Sequence, residues 1–160
     1  MSLSRISLLL LSACLTSCGF QLQGALTLPE SMQRTYVQAA DRFTPFYRDL
    51  VAELRRQGVE VVDTEATATA TFTIYADETG QRVLSVSARN IPTEYEVFYT
   101  IRYGVVSGTD VILEARTVTR TQEYIYDTTV VLGKAAEEQK IREALVQDLV
   151  RFITRQLSAQ

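Results

Sequence analysis

The sequence predicts an α+β fold, a two-layer sandwich with two helices packed on one face of a mostly antiparallel four-stranded sheet. Three observations predict it. An amphipathic stretch lies early, between Thr44 and Gly58. A long middle region alternates apolar and polar residues with period two. A second amphipathic stretch closes the chain, from Lys134 to Leu157. Helices at the ends and strands gathered in the middle place both helices on one sheet face, not between successive parallel strands.

Each element has its own cause. Thr35-Tyr36-Val37 reads as a brief strand. Thr44-Pro45 starts the first helix, a capping hydroxyl followed by proline at the first helical position. Phe46, Leu50 and Leu54 follow at helical spacing, and Gly58 ends the helix. From Val59 to about Tyr126 the period is two, with Ala68, Ala70, Phe72 and Ile74 alternating with Thr67, Thr69, Thr71 and Thr73. Asp77 to Gly80 either turns the chain or bulges one long strand. Asn90-Ile91-Pro92 breaks the next stretch. Val97, Tyr99, Ile101, Tyr103 and Val105 then line one face, with Thr100 and Arg102 on the other. Ser107-Gly108-Thr109-Asp110 is a hairpin turn signal. Val111, Leu113 and Ala115 open the last strand, opposite a polar set of Glu114, Arg116 and Arg120. In the final helix Ile141, Leu145, Leu149, Phe152 and Ile153 form one stripe. Glu137 and Glu138 read as first-turn residues, and Arg151 and Arg155 lie near the end, both favourable to the helix dipole.

The N-terminal residues carry a different message. Arg5 is a short positive region, Ile6 to Leu11 an apolar one, and Leu15-Thr16-Ser17 leads with small residues into Cys18. That layout fits a cleaved secretion signal and is too short for a membrane-spanning helix. Leu-Thr-Ser-Cys also resembles a bacterial lipobox, which makes Cys18 the expected acylated first residue of the mature protein. The competing reading is an ordinary signal peptide cut near a cysteine. Cys14 falls within the signal, so Cys18 is the last cysteine and no internal disulfide is expected. The expected layout is a signal over 1–17, an acylated cysteine and tether over 18–31, and one α+β domain over 32–160. Gly19, in place of Asp, resembles an outer-membrane sorting address. Stable anchoring takes more than one acyl chain.

Charge and chemistry narrow the function. The chain has 16 basic and 19 acidic residues, a formal net charge of −3, and losing Arg5 with the signal makes it more negative by one. That sign argues against general nucleic-acid or phospholipid-surface binding. Histidine is absent from the sequence, so the commonest general base and metal ligand is missing. No phosphate-cradling glycine loop and no serine-nucleophile elbow occurs. Glu94/Glu96 and Glu137/Glu138 are paired carboxylates, but they fit the solvent side of a strand and a helix N-terminus better than acid–base catalysis. No enzyme activity and no cofactor are expected.

A binding module remains. Turns of an antiparallel meander alternate between sheet ends, so the turn at Arg89 to Pro92 and the segment Tyr126 to Lys134 fall at the same end, whichever way Asp77 to Gly80 resolves. Arg89 and Lys134, the latter one of two lysines in the chain, then make a candidate contact for a phosphate or carboxylate. The plain alternative is two solvated loop residues. Tyr95, Tyr99, Tyr103, Tyr124 and Tyr126 are expected near this end, some filling the core and some facing a partner.

Several stretches resemble one known family. Cys18-Gly19-Phe20-Gln21-Leu22-Gln23-Gly24 is similar to the opening of the LPS-assembly lipoproteins, the LptE family, with Gln23 where the family commonly has arginine. Leu54 to Val61 is similar to the family's helix end. Arg89-Asn90 with Glu94-Tyr95 resembles its central hairpin, and the last helix, entered through a short loop with Lys134, follows in the same order. The resemblance implies an outer-membrane lipoprotein on the periplasmic side. It would lie inside the lumen of the LptD β-barrel, where it would plug and help assemble that LPS translocon and bind LPS through Arg89 and Lys134. The alternative of another class is a lipid-anchored structural accessory, such as a secretin pilotin, without LPS binding. A carboxylate hydrolase acting on glycan through Glu94 or Glu96 is a third.

Overall fold

The computed structural model of the chain describes residues 27–125 and 131–160, without the side chains of 131–135. Its elements run β1 (Arg34–Gln38), α1 (Pro45–Arg56), β2 (Glu60–Val62), β3 (Ala70–Val86), β4 (Pro92–Ser107), β5 (Asp110–Ile125) and α2 (Val131–Leu157). Short 3₁₀ turns at Glu30–Met32 and Glu65–Thr67 lead into β1 and β3.

The sheet has five strands, in the order β2-β1-β3-β4-β5, and not the expected four. The added strand is β2, three residues that pair parallel to β1, with Arg34 opposite Glu60 and Tyr36 opposite Val62. β1 also runs parallel to β3, and only the long β3-β4-β5 meander is antiparallel. Parallel neighbours need a crossover, and α1 supplies it between β1 and β2. The α+β sandwich stands, with a mixed sheet.

α1 forms as its sequence dictates. The Tyr47 N–H donates to Thr44 Oγ1 at 3.2 Å, and Pro45 opens the helix. At the other end the Val59 N–H reaches the Leu54 carbonyl and the Gly58 N–H the Arg55 carbonyl, both at 3.0 Å. This double closure requires a left-handed residue, and Gly58 provides it at φ +87°. Phe46, Leu50 and Leu54 are buried, as are Leu145, Leu149, Ile153 and Leu157 of α2. They meet Phe72, Val97, Tyr99, Ile101, Tyr103 and Val105 on one face of the sheet. Phe72 and Tyr103 stack there with ring centroids 5.4 Å apart.

β3 is a single strand through Asp77 to Gly80, so no turn forms there. The irregularity falls slightly earlier, where Ile74 pairs with Tyr103 and Ala76 with Arg102, leaving Tyr75 as an extra residue. A second bulge lies in β5. Tyr103 pairs with Arg116 and Val105 with Leu113, so Glu114 and Ala115 both oppose Gly104. A Cβ at Gly104 would sit 3.3 Å from the backbone of Ala115, which explains glycine at that crossing. An extra residue reverses the face of everything after it. Arg120 therefore leaves the expected outward set and turns to the helix layer. There Arg120 Nε donates to Asp148 Oδ2 at 2.8 Å, and the guanidinium lies 4.5 Å from the Phe152 ring centroid. Arg116 likewise shares the side of Tyr103, close enough to oppose the rise in that hydroxyl's pKa.

Two further expectations are corrected at α2. The helix begins at Val131, so Lys134 lies on helical backbone and not on a loop, and Glu137 and Glu138 fall beyond the first turn. Gly133 lies in the first turn of the helix, where a glycine costs only about 1 kcal/mol. Val111, expected inside, is largely exposed, whereas Leu113 is buried.

Candidate functional site

The turn that carries Arg89 joins β3 to β4. Asn90 N–H donates to the Ser87 carbonyl at 2.9 Å, and Ser87 N–H donates to the Ile91 carbonyl at 2.8 Å. Ala88 and Arg89 are thus the central residues of a four-residue turn, and Asn90 follows in the left-handed region at φ +58°. Asn tolerates that conformation better than other side-chain-bearing residues, and this three-residue loop is a common hairpin form. Arg89 stands exposed at the turn and makes no ion pair among the described residues.

Below the turn the carboxylates are already engaged. Glu94 accepts from Ser85 Oγ at 2.8 Å, and Glu96 pairs with Arg82 at 2.5 Å. Glu94 is exposed, but Glu96 is only 8 % accessible, which departs from the expected solvent-side pair. On the opposite face Tyr95 stacks on Tyr124, centroids 5.7 Å apart, and Tyr124 donates to Gln81 Oε1 at 3.1 Å. Deeper along β4, Tyr99 and Tyr103 are core residues, Tyr103 well toward the other end of the strand. Burial raises the pKa of both phenols. A hydrogen bond to Asp77 adds to the rise at Tyr99, and Tyr103 is pushed up to about 12. Tyr103 donates to Gln156 Oε1 at 2.6 Å, tying β4 to the end of α2. Tyr126 lies outside the described residues.

Ile125 ends β5 opposite Glu94, so the connection toward α2 leaves the sheet at the Arg89 end. Lys134 occupies the fourth position of α2, and its side chain lies outside the described residues. Cys18 and the signal also lie outside them.

Sequence reading missed the apolar surface around this turn. Val83, Leu84, Val86, Ile91 and Ile125 are all 43 % or more exposed, which gathers most of the exposed large hydrophobic residues of the described chain at one end. The signal was present: from Val83 to Thr93 the only charged residue is Arg89. Also missed were two arginine–aromatic pairs, Arg42 over Tyr36 and Arg102 over Tyr75, beside an exposed Phe43. Among the described residues no cluster of metal-ligating side chains occurs, and no helix is long and apolar enough to cross a membrane.

Two helices on one face of a mixed sheet, with a long hairpin ending in a cationic turn, define a small two-layer α+β domain. The family model for LptE, lipopolysaccharide-assembly, matches residues 32–157, and the chain belongs to that family. It is 25 % identical over 142 residues to the LPS-assembly lipoprotein LptE of Yersinia pestis (strain Pestoides F), covering 88 % of this chain and 68 % of that one. The LptE of Yersinia pseudotuberculosis serotype O:1b matches to the same extent. Among solved structures, lipoprotein B of Nitrosomonas europaea is similar at TM-score 0.73 and 26 % identity, over 88 % of this chain and 91 % of that one. Rare lipoprotein B of Shewanella oneidensis shares the fold at TM-score 0.68 and 17 % identity, over 79 % and 94 % of the two chains.

Proposed function

We propose that this LPS-assembly lipoprotein is anchored in the outer membrane through acylated Cys18, after loss of residues 1–17, with residues 18–31 as tether and 32–160 as the working domain. It sits on the periplasmic side within the lumen of the LptD β-barrel, plugs and helps assemble that translocon, and binds LPS during its insertion into the outer leaflet. It performs no catalysis. The observation that carries the LPS part is Arg89, a guanidinium on an exposed turn with no ion pair among the described residues. An uncompensated guanidinium presents a fork of donors suited to phosphate or carboxylate oxygens. The chain enters α2 from the same sheet end, which supports Lys134 as a second cation for lipid A phosphates or inner-core acids.

The test is LPS binding by the Arg89→Glu, Lys134→Glu double variant, with co-purification from outer membranes run in parallel. The expected result is a loss of LPS affinity of about tenfold or more, with the barrel still recovered. Unchanged affinity in a folded variant overturns the two-cation site. Recovery of the wild type with a secretin, and without barrel or LPS, favours the pilotin alternative.

A further inference from the structure

The end of the β3–β4 hairpin has an unusual distribution of polarity. An antiparallel sheet with one face on a core ordinarily turns polar residues to water on the other. Here both faces of the sheet at this end carry exposed apolar side chains, the second through Ile125 of β5. Val83 pairs with Tyr95, and Tyr95 with Tyr124, so these three share one face. Ile125 pairs with Glu94, the neighbour of Tyr95, and so points from the other face, 75 % exposed. Val86 and Ile91 flank the turn itself, 53 % and 43 % exposed. Apolar residues on both faces and around the turn suit an apolar medium that reaches every side of the end.

The charge pattern names the medium. Between Val83 and Thr93 only Arg89 is charged, at the turn, while Glu94 and Glu96 just below are engaged by Ser85 and Arg82. One cation amid aliphatic side chains complements an anionic headgroup joined to fatty acyl chains. We infer that Val83, Val86, Ile91 and Ile125 hold the acyl chains of the LPS molecule whose acidic groups face Arg89, so that the hairpin end recognises the lipid part as well as the charge. The inference rests on the LPS reading above.

The chain has no tryptophan, so a single one can report on this end. In the full-length protein, Ala88→Trp places an indole on the turn beside Arg89. Its emission should shift to the blue with acylated LPS and stay unshifted with the same LPS stripped of its fatty acids. Adding Val86→Ser and Ile91→Ser should weaken binding of acylated LPS about tenfold and leave binding of the stripped form within about twofold. Val86→Leu with Ile91→Leu should bind as the parent does, which separates lost apolar contact from a disturbed hairpin. Equal affinity of the serine variant and its parent for acylated LPS would overturn the inference while leaving the cation site intact. An equal blue shift on phosphatidylethanolamine/phosphatidylglycerol vesicles would overturn it too, by assigning the end to a bilayer surface. A parent that binds neither form of LPS overturns the LPS reading and this inference together.

Discussion

The two ends of the β3–β4 hairpin are built by opposite rules. Near Ser107 the strands lie under both helices. Phe72, Tyr103, Leu149 and Ile153 are completely or almost completely buried there, and Tyr103 reaches across to Gln156. Near Arg89 the same two strands expose Val83, Val86 and Ile91, and the contacts between strands are polar or aromatic. In between, α2 is held to the sheet by hydrogen bonds as well as packing, with Arg142 donating to Thr79 Oγ1 at 2.6 Å and Arg120 to Asp148. The closed end supplies the cohesion of the domain, and the exposed side chains of the open end contribute little to it.

That contrast makes a gradient that mutation can break. Leu149→Ala, at a fully buried position, should cost about 2–5 kcal/mol in chemical denaturation. A cost below about 1 kcal/mol would mean the helices do not close the core as described. Alkali should reach the closed end next. The Tyr103 phenol ionises near pH 10 when unfolded and near 12 when folded, so between those values the folded state binds more protons and stability falls as pH rises. Thermal melts should decline from about pH 10 upward, and less steeply in Tyr103→Phe. An equal decline in both would place that sensitivity elsewhere. Arg120→Ala probes the middle. Its ion pair is partly exposed, at 32 % and 44 % for the two side chains, and so contributes little, while the contact with Phe152 adds packing. About 1 kcal/mol is expected. The serine substitutions at Val86 and Ile91 should come last, within about 0.5 kcal/mol of the parent, because half-exposed side chains have little burial to lose.

The closed end was also the more legible. Thr44-Pro45, the Phe46-Leu50-Leu54 stripe and Gly58 define α1 by local chemistry alone, and the structure returns each in its role. Alternation along Val97 to Val105 identifies the core face of β4 for the same reason. β2 escaped because three residues are too few to show a period. Arg120 reads as outward because the bulge opposite Gly104 adds a residue that the alternation along β5 itself does not show. Lys134 reads as part of the loop into the last helix because the apolar stripe that reveals that helix begins only at Ile141, whereas the helix itself starts at Val131. At the open end Arg89 is legible as a charge on a turn and the lack of any other charge from Val83 to Thr93 marks its surroundings, but their exposure is not legible. Val83 and Val86 look like any strand residues until the helices are seen to leave them uncovered.

β1 lies inside the sheet, bonded to β2 on one side and β3 on the other, although it is the first strand of the chain. Whatever precedes it therefore joins the domain at an interior strand and not at a peelable edge. Force arriving through the N-terminal segment and directed along β1 must shear two hydrogen-bonded ladders at once, where the same pull on an edge strand would meet one. Leu28 and Met32 pack into the core just before that strand and would have to be drawn out first. The domain is thus joined to its leading segment as a keystone is joined to an arch: load is shared to both sides, and the hairpin end stays mechanically idle.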